Sequence, residues 1–207
     1  VRVACYIHQI PAALEMIEYF HNLGYETTCN IMAISQASSE QIEEALAMIG
    51  QSSVDVIYLV DSYGSLYPET AGALAKKYLE IGEKYGKAIG FHAHNNQNLA
   101  FANTIETLSY GVSYLDATAA GMGRGAGNCA MELLLGFLKN PKYNLYSLLT
   151  FLENYMIPLK ESGVKWGYEV QYMLTGQLNR HPREAMAFTA ENRTDYCEFY
   201  KSLLDNF

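Results

Sequence analysis

Up to Pro141, apolar residues fall into two alternating kinds of run. Short, nearly unbroken runs recur at residues 1–7, 27–34, 54–60, 88–94 and 112–118. They have strand length, and the run 54–60 is apolar enough to be buried on both faces, as parallel strands are. Longer segments with apolar residues three and four apart lie between them. Pro11 suits a first helical turn, Leu14 and Ile17 share a face, and Gly24 can stop that helix. The next helix is better signed: Ser38 with Gln41 makes a capping box, Ile42, Ala45, Leu46 and Ile49 form a stripe, and Gly50 is placed to cap the end. Pro68 opens a third helix with the stripe Leu74, Tyr78, Ile81 and Tyr85, ending at Gly86. A fourth ends near Tyr110, and a fifth spans 128–138, closed by Asn140-Pro141. Five strand–helix units in alternation predict an α/β fold with a parallel sheet and right-handed crossovers. Open doubly wound sheets and (β/α)8 barrels both satisfy that pattern.

Beyond Pro141 no strand pattern appears. Helices are expected at 145–160, 166–178, 182–190 and 194–204, and eleven of the 25 Phe and Tyr residues lie in this part. The expected division is residues 1–141 as the strand–helix domain and 142–207 as a helical extension, packed on that domain or on a partner.

Composition narrows the function classes. Half the residues are apolar and 17% charged, ample for a core. The net charge of −8 argues against nucleic acid as the main partner, which normally requires a basic excess. No apolar run approaches the length of a membrane span. Cys5, Cys29, Cys129 and Cys197 show no C-x-x-C spacing, so reduced, mostly buried thiols and a cytoplasmic location are expected.

The candidate chemistry is concentrated between Gly90 and Asn128. His92 and His94 stand two apart on one strand, so their side chains point the same way, at the strand end where α/β folds place their sites. Such a pair can chelate a metal; the competing reading is one buried and one solvated histidine. Asn95, Asn96 and Gln97 follow directly, and Asn128 ends the next loop. Two imidazoles with oxygen ligands suit Mn²⁺ or Mg²⁺, with Zn²⁺ a further option. The loop Gly121-Met-Gly-Arg-Gly-Ala-Gly-Asn128 formally contains the dinucleotide fingerprint, yet no strand follows to carry the ribose-binding acid. Four glycines instead let backbone approach a small ligand, with Gly123 and Gly125 on either side of Arg124, which can meet a carboxylate. Asp61 and Asp116 end strands; each is a candidate acceptor behind a metal-bound histidine, or a loop cap. His8 also ends a strand and reads as an exposed or loop-bonded residue.

These residues together resemble one family. Phe91-His-Ala-His-Asn95, Ala102-Asn103, Asp116-Ala117, Ala120-Gly-Met-Gly-x-Gly-Ala-Gly-Asn128 and Glu132 are similar to the metal-dependent 4-hydroxy-2-oxovalerate aldolases, within the superfamily that includes HMG-CoA lyase and isopropylmalate synthase. The resemblance extends back through Leu59-Val-Asp-Ser62 and covers most of the chain. It implies a (β/α)8 TIM barrel, of which about five βα units are present, followed by a helical extension. It implies His92, His94 and Asn128 around a divalent metal, Mn²⁺ first. The activity implied is a lyase, cleaving a 4-hydroxy-2-oxo acid to pyruvate and an aldehyde. A tyrosine of the tail is implied at the site, with Tyr172 the better match in Gly167-Tyr168-x-x-x-Tyr172 and Tyr168 the reserve. A homo-oligomer and docking of an acylating aldehyde dehydrogenase are further implications. The rivals are another lyase or Claisen-type synthase of the superfamily acting on an acyl substrate, and a non-catalytic metal-binding or docking barrel.

The family's R-D-G motif is not in this sequence. That motif carries the aspartate ligand, the enolate-stabilising arginine and, a few residues on, the histidine base. The first strand here resembles the family's fourth. The expectation is therefore that 207 residues alone do not close a barrel or fold independently, and that the three missing strand–helix units belong to a longer polypeptide of which this is part or come from another segment.

Overall fold

The run predicted at 54–60 becomes the strand β3 (Val56–Asp61), buried along its whole length. The computed structural model describes residues 1–204. β1 (Arg2–Cys5), β2 (Thr28–Ile31), β4 (Ala88–Ala93) and β5 (Tyr114–Leu115) flank β3. Among the described residues they form one five-stranded sheet, all parallel, in the order β1-β2-β3-β4-β5. Doubly wound sheets reverse direction at a switch point, whereas a barrel adds each strand beside the last. The unreversed order makes this sheet an arc of a (β/α) barrel.

By packing, the chain groups into two compact units. The first is Val1–Ser62, Leu66–Ala93 and Ala102–Asp116; the second is Tyr63–Ser65, His94–Phe101 and Ala117–Phe207, described here to residue 204. The grouping therefore divides the chain elsewhere than at the 141/142 boundary expected from strand pattern. The loops after β3 and β4 and everything past residue 116 pack with the helical extension.

In the first unit, the helices between strands are α1 (Ile10–Asn22), α2 (Ser39–Gly50), α3 (Pro68–Tyr85) and most of α4 (Ala100–Tyr110). Ser38 caps α2 with the expected capping box: Gln41 N–H donates to Ser38 Oγ at 3.2 Å and Ser38 N–H donates to Gln41 Oε1 at 2.9 Å. Ile42, Ala45, Leu46 and Ile49 are buried. Gly50 is the last residue of α2 and does not terminate it by a left-handed turn; a Cβ there would stand 2.5 Å from Cδ2 of Tyr85. α3 does end as expected, on Gly86 in the left-handed region. Its buried face is more finely built than the predicted stripe: Ala71, Gly72, Ala75, Tyr78 and Gly82 are buried, with Leu74, Ile81 and Tyr85 half-buried beside them. A Cβ on Gly72 would meet the Tyr110 ring at 2.6 Å, and one on Gly90 the Tyr58 ring at 2.6 Å. Cys5 and Cys29 lie on neighbouring strands with their sulfurs 3.9 Å apart, both buried; Cys129 is buried and Cys197 exposed.

In the second unit, α5 (Met131–Leu138) follows the glycine loop. α6 (Leu145–Phe151), a π-helical turn (Leu152–Met156) and α7 (Ile157–Glu161) form one continuous run. The π turn has a local cause. Pro158 has no N–H to give to the preceding turn, and the Ile157 N–H reaches back five residues to Leu152 O. α8 (Val170–Gln177), α9 (Arg183–Ala190) and α10 (Tyr196–Leu204) complete the tail. Leu174, Phe188, Phe199 and Leu203 form its own core, with the Phe188 and Phe199 rings 4.6 Å apart. Among the described residues no helix is long and apolar enough to cross a membrane.

Candidate metal centre

In the first unit, parallel register sets the surroundings of His92. Phe91 pairs with Leu115, and the Asp116 N–H donates to Phe91 O at 3.0 Å, so Asp116 follows β5 alongside His92 on β4. The Asp116 Oδ2 lies 2.9 Å from His92 Nδ1. Arg2, on β1, grips the same carboxylate with both guanidinium nitrogens, one of them 3.1 Å from Oδ1, and lies 4.3 Å over the Tyr58 ring. Burial pushes the Asp116 carboxyl up, but the hydrogen bonds from His92 and Arg2 and the arginine's charge outweigh it and hold it at about 2. Tyr58 is pushed the other way, to about 12, chiefly by burial and then by the Asp116 charge. An ionised Asp116 can only accept, so Nδ1 of His92 donates. In a neutral ring that arrangement leaves the lone pair on Nε2, the atom a metal takes.

The second unit holds the candidates His94 and Asn128. His94 comes directly after β4 and is paired antiparallel with Asn128, while the Asn95 N–H donates to Gly127 O at 2.8 Å. The glycine loop folds onto itself between them. Asn128 N–H donates to Gly121 O at 2.9 Å, Thr118 Oγ1 to Met122 O at 2.7 Å, and Ala120 N–H to Glu132 Oε2 at 3.0 Å. Trp166 Nε1 donates to Ala120 O at 2.9 Å. The Asn128 amide donates Nδ2 to Met122 O at 3.1 Å, which turns Oδ1 the other way. That oxygen is buried and has no hydrogen-bond partner among the described residues. A buried, oriented, unpartnered carbonyl oxygen beside a histidine is the donor a divalent cation needs.

The loop glycines also have a packing role. A Cβ on Gly123 would meet the Asn128 amide at 2.5 Å, and one on Gly125 would overlap the Tyr172 ring. The space a side chain would need is filled at both positions, so these two glycines seat Asn128 and Tyr172. Tyr172 is buried against Ala126 and Ala185. Burial raises its phenol, with a hydrogen bond to Thr189 and the nearby Arg124 charge pulling it down and Glu169 adding to the rise. A ring held in the core this way positions the loop. Tyr168 is 54% exposed, ahead of α8. Arg124 is exposed on the loop. Asp61 is 1% exposed at the end of β3 and accepts the Leu66 N–H at 3.2 Å, closing its own loop.

Two residues had no assigned role in the sequence. Arg2 carries a signal in hindsight, being a charge placed among the apolar residues of β1. His181 carries none, because its surroundings depend on tail packing. Among the described residues no three His, Cys, Asp or Glu side chains gather as a metal cluster. His92 in the first unit, and His94 with Asn128 Oδ1 in the second, are donor types that suit a borderline-to-hard divalent ion.

Comparison with known proteins identifies the family. The HMGL-like family model matches residues 7–153. The 4-hydroxy-2-oxovalerate aldolase of Thermus thermophilus is 32% identical over 163 residues, covering 77% of this chain and 46% of that protein; that of Brevibacillus brevis is 30% identical over 162 residues, covering 76% and 47%. This chain thus spans about half the length of the curated relatives it matches. Among solved structures, the N-terminal domain of an aldolase candidate from Bacteroides vulgatus superposes with a TM-score of 0.74 at 31% identity, covering 91% of this chain and 62% of that one. The HMG-CoA lyase of Bacillus subtilis shares the fold, with a TM-score of 0.64 at 18% identity over 78% of this chain and 63% of that one. The arc of parallel strands is therefore part of a TIM barrel, and the chain belongs to the HMGL-like family.

Proposed function

We propose that this chain is the metal-binding part of a divalent-metal-dependent aldolase that cleaves a 4-hydroxy-2-oxo acid to pyruvate and an aldehyde. The observation that carries it is the buried, unpartnered Oδ1 of Asn128 beside His94, with His92 oriented by Asp116 two residues earlier in the chain. Similarity to 4-hydroxy-2-oxovalerate aldolases supplies the substrate class. His92 Nε2, His94 and Asn128 Oδ1 would hold the ion, Mn²⁺ first, with Mg²⁺ or Zn²⁺ as alternatives. When bound, such an ion supplies Lewis acidity at the 2-oxo carbonyl, where negative charge develops as the C3–C4 bond breaks.

This chain's own residues have supporting roles. Asp116 accepts from His92 Nδ1 and so orients the ring with Nε2 on the opposite edge. The folded glycine loop holds the Asn128 amide in one orientation. Arg124 would bind the substrate carboxylate. In this reading the 4-hydroxyl proton is taken by the histidine that accompanies the family's R-D-G motif. Homo-oligomerisation and docking of an acylating aldehyde dehydrogenase remain part of the same proposal.

The test is pyruvate release with defined metals, across 4-hydroxy-2-oxo acids and acyl-CoA esters. His92→Ala and His94→Ala should each abolish metal-dependent release. Unchanged turnover in either variant, or turnover of acyl-CoA esters alone, overturns the assignment.

A further inference from the structure

Asp116 has little strand to hold it. β5 is two residues long and lies at one edge of the five-stranded sheet, and Asp116 comes directly after it. The terminal torsion of an aspartate is soft, so a histidine that relies on such a carboxylate is oriented only as firmly as the carboxylate is. The structure supplies a second anchor from the opposite edge of the sheet. Arg2, on β1, meets Oδ2 of Asp116 with Nη1 and Oδ1 with Nη2, the latter at 3.1 Å. A guanidinium fork matched to both oxygens fixes the plane of a carboxylate as well as its position. Oδ2 is also the oxygen that His92 Nδ1 reaches at 2.9 Å, so the plane set by Arg2 decides which way this acceptor faces.

Arg2 is itself held. Its guanidinium lies 4.3 Å over the ring of Tyr58, on β3. Tyr58 in turn fills the space beside Gly90 on β4, where a Cβ would stand 2.6 Å from the ring. Gly90 and His92 are two apart on that strand, so they share a face of the sheet. A circuit of contacts therefore leaves β4 at Gly90, passes through Tyr58, Arg2 and Asp116, and returns to β4 at His92. All five residues belong to the first unit.

We propose that Arg2 is a positioning residue for the metal centre: by fixing the plane of the Asp116 carboxylate it holds the His92 ring with Nδ1 on that carboxylate and Nε2, the ligating nitrogen, on the opposite edge. This rests on the metal assignment within the aldolase reading and adds to it a residue that acts through two others.

The test joins nitrogen NMR of the metal-free protein to calorimetric titration with manganese, in wild type, Arg2→Lys and Arg2→Met. Lysine keeps the charge and loses the fork; methionine loses both. At a pH where the ring is neutral, the His92 shifts of wild type should report one tautomer, with its proton on Nδ1. Both variants should show a mixture of Nδ1–H and Nε2–H forms and a manganese Kd raised about tenfold, with Arg2→Lys melting near wild type. Wild-type affinity in Arg2→Met, or full recovery of affinity in Arg2→Lys, overturns the proposal. So does a weakened affinity with the His92 shifts unchanged, because the loss then arises elsewhere. Arg2→Lys alone decides where Arg2→Met does not fold. Wild-type protein that binds manganese but releases no pyruvate overturns the aldolase reading and not the role of Arg2. Wild-type protein whose His92 signals manganese does not broaden overturns the metal assignment and this role with it.

Discussion

The Asp116 carboxylate is shared between His92 Nδ1, 2.9 Å away on β4, and the Arg2 guanidinium on β1, so one acid ties two strands of the arc and sets a histidine tautomer. Its pKa of about 2 lies below an ordinary value of 3.8. A carboxylate whose pKa is depressed by folding contributes stability above its unfolded pKa, and that stability is lost as pH falls through the folded value. The window is therefore about pH 4 down to pH 2. With the side chain 20% exposed, the contribution is on the order of 2 kcal/mol. Asp116→Asn should lower unfolding free energy at pH 7 by about that amount and flatten its decline between pH 4 and 2. Denaturant unfolding at several pH values measures both.

Asn128→Ala removes an oxygen that has no partner and a nitrogen that has one. In metal-free protein these changes nearly offset, so unfolding free energy should move by less than about 1 kcal/mol. Manganese affinity, measured by calorimetry on the same samples, should fall about tenfold or more. A large loss of stability with unchanged affinity would make Asn128 a purely structural residue.

Gly125→Ala places a methyl where the Tyr172 ring lies, at a backbone φ of +57°. Strain and overlap together should cost about 2–4 kcal/mol. Pairing it with Tyr172→Leu should recover part of that loss, so the double variant is more stable than the two single losses added together. Thermal melts of the four proteins decide it.

Tyr78 is fully buried in α3, its phenol raised by burial, and its hydroxyl has no hydrogen-bond partner among the described residues. Tyr78→Phe keeps the ring and deletes the unsatisfied group. It should leave stability unchanged or raise it by about 1 kcal/mol, read from the urea midpoint. A loss above about 1 kcal/mol would mean the hydroxyl is satisfied in solution.

Much of the arc was legible locally. The Ser38–Gln41 box, the apolar run of β3 and the Gly86 stop each depend on residues a few positions apart, and each is present in the structure. The Arg2–Asp116 pair was not legible, because it joins residues 114 apart and exists only once the register of five strands is set. β5 is two residues long rather than the seven its composition suggested, since the chain past Leu115 is diverted into the glycine loop. The histidine pair, Asn128 and Asp116 could be named as metal-site candidates from residue type and position. The direction in which Oδ1 of Asn128 faces, and the surroundings of His181, come from packing that no local pattern encodes. Gly50 was misjudged for a related reason: helix-end glycines usually serve the backbone, and this one serves a neighbour's ring.

That neighbour is one of four. Tyr85 rests on Gly50, Tyr110 on Gly72, Tyr58 on Gly90 and Tyr172 on Gly125, each ring occupying the space a side chain would need. Each pair works as a lock and its blank, and neither member is free to vary alone. Across diverging members of the family, these eight positions are expected to change two at a time: a methyl arriving at the glycine should coincide with a smaller residue at the tyrosine. The chain's abundance of tyrosine would then record packing history more than chemistry, and covariation at these pairs should report the fold independently of any active-site residue.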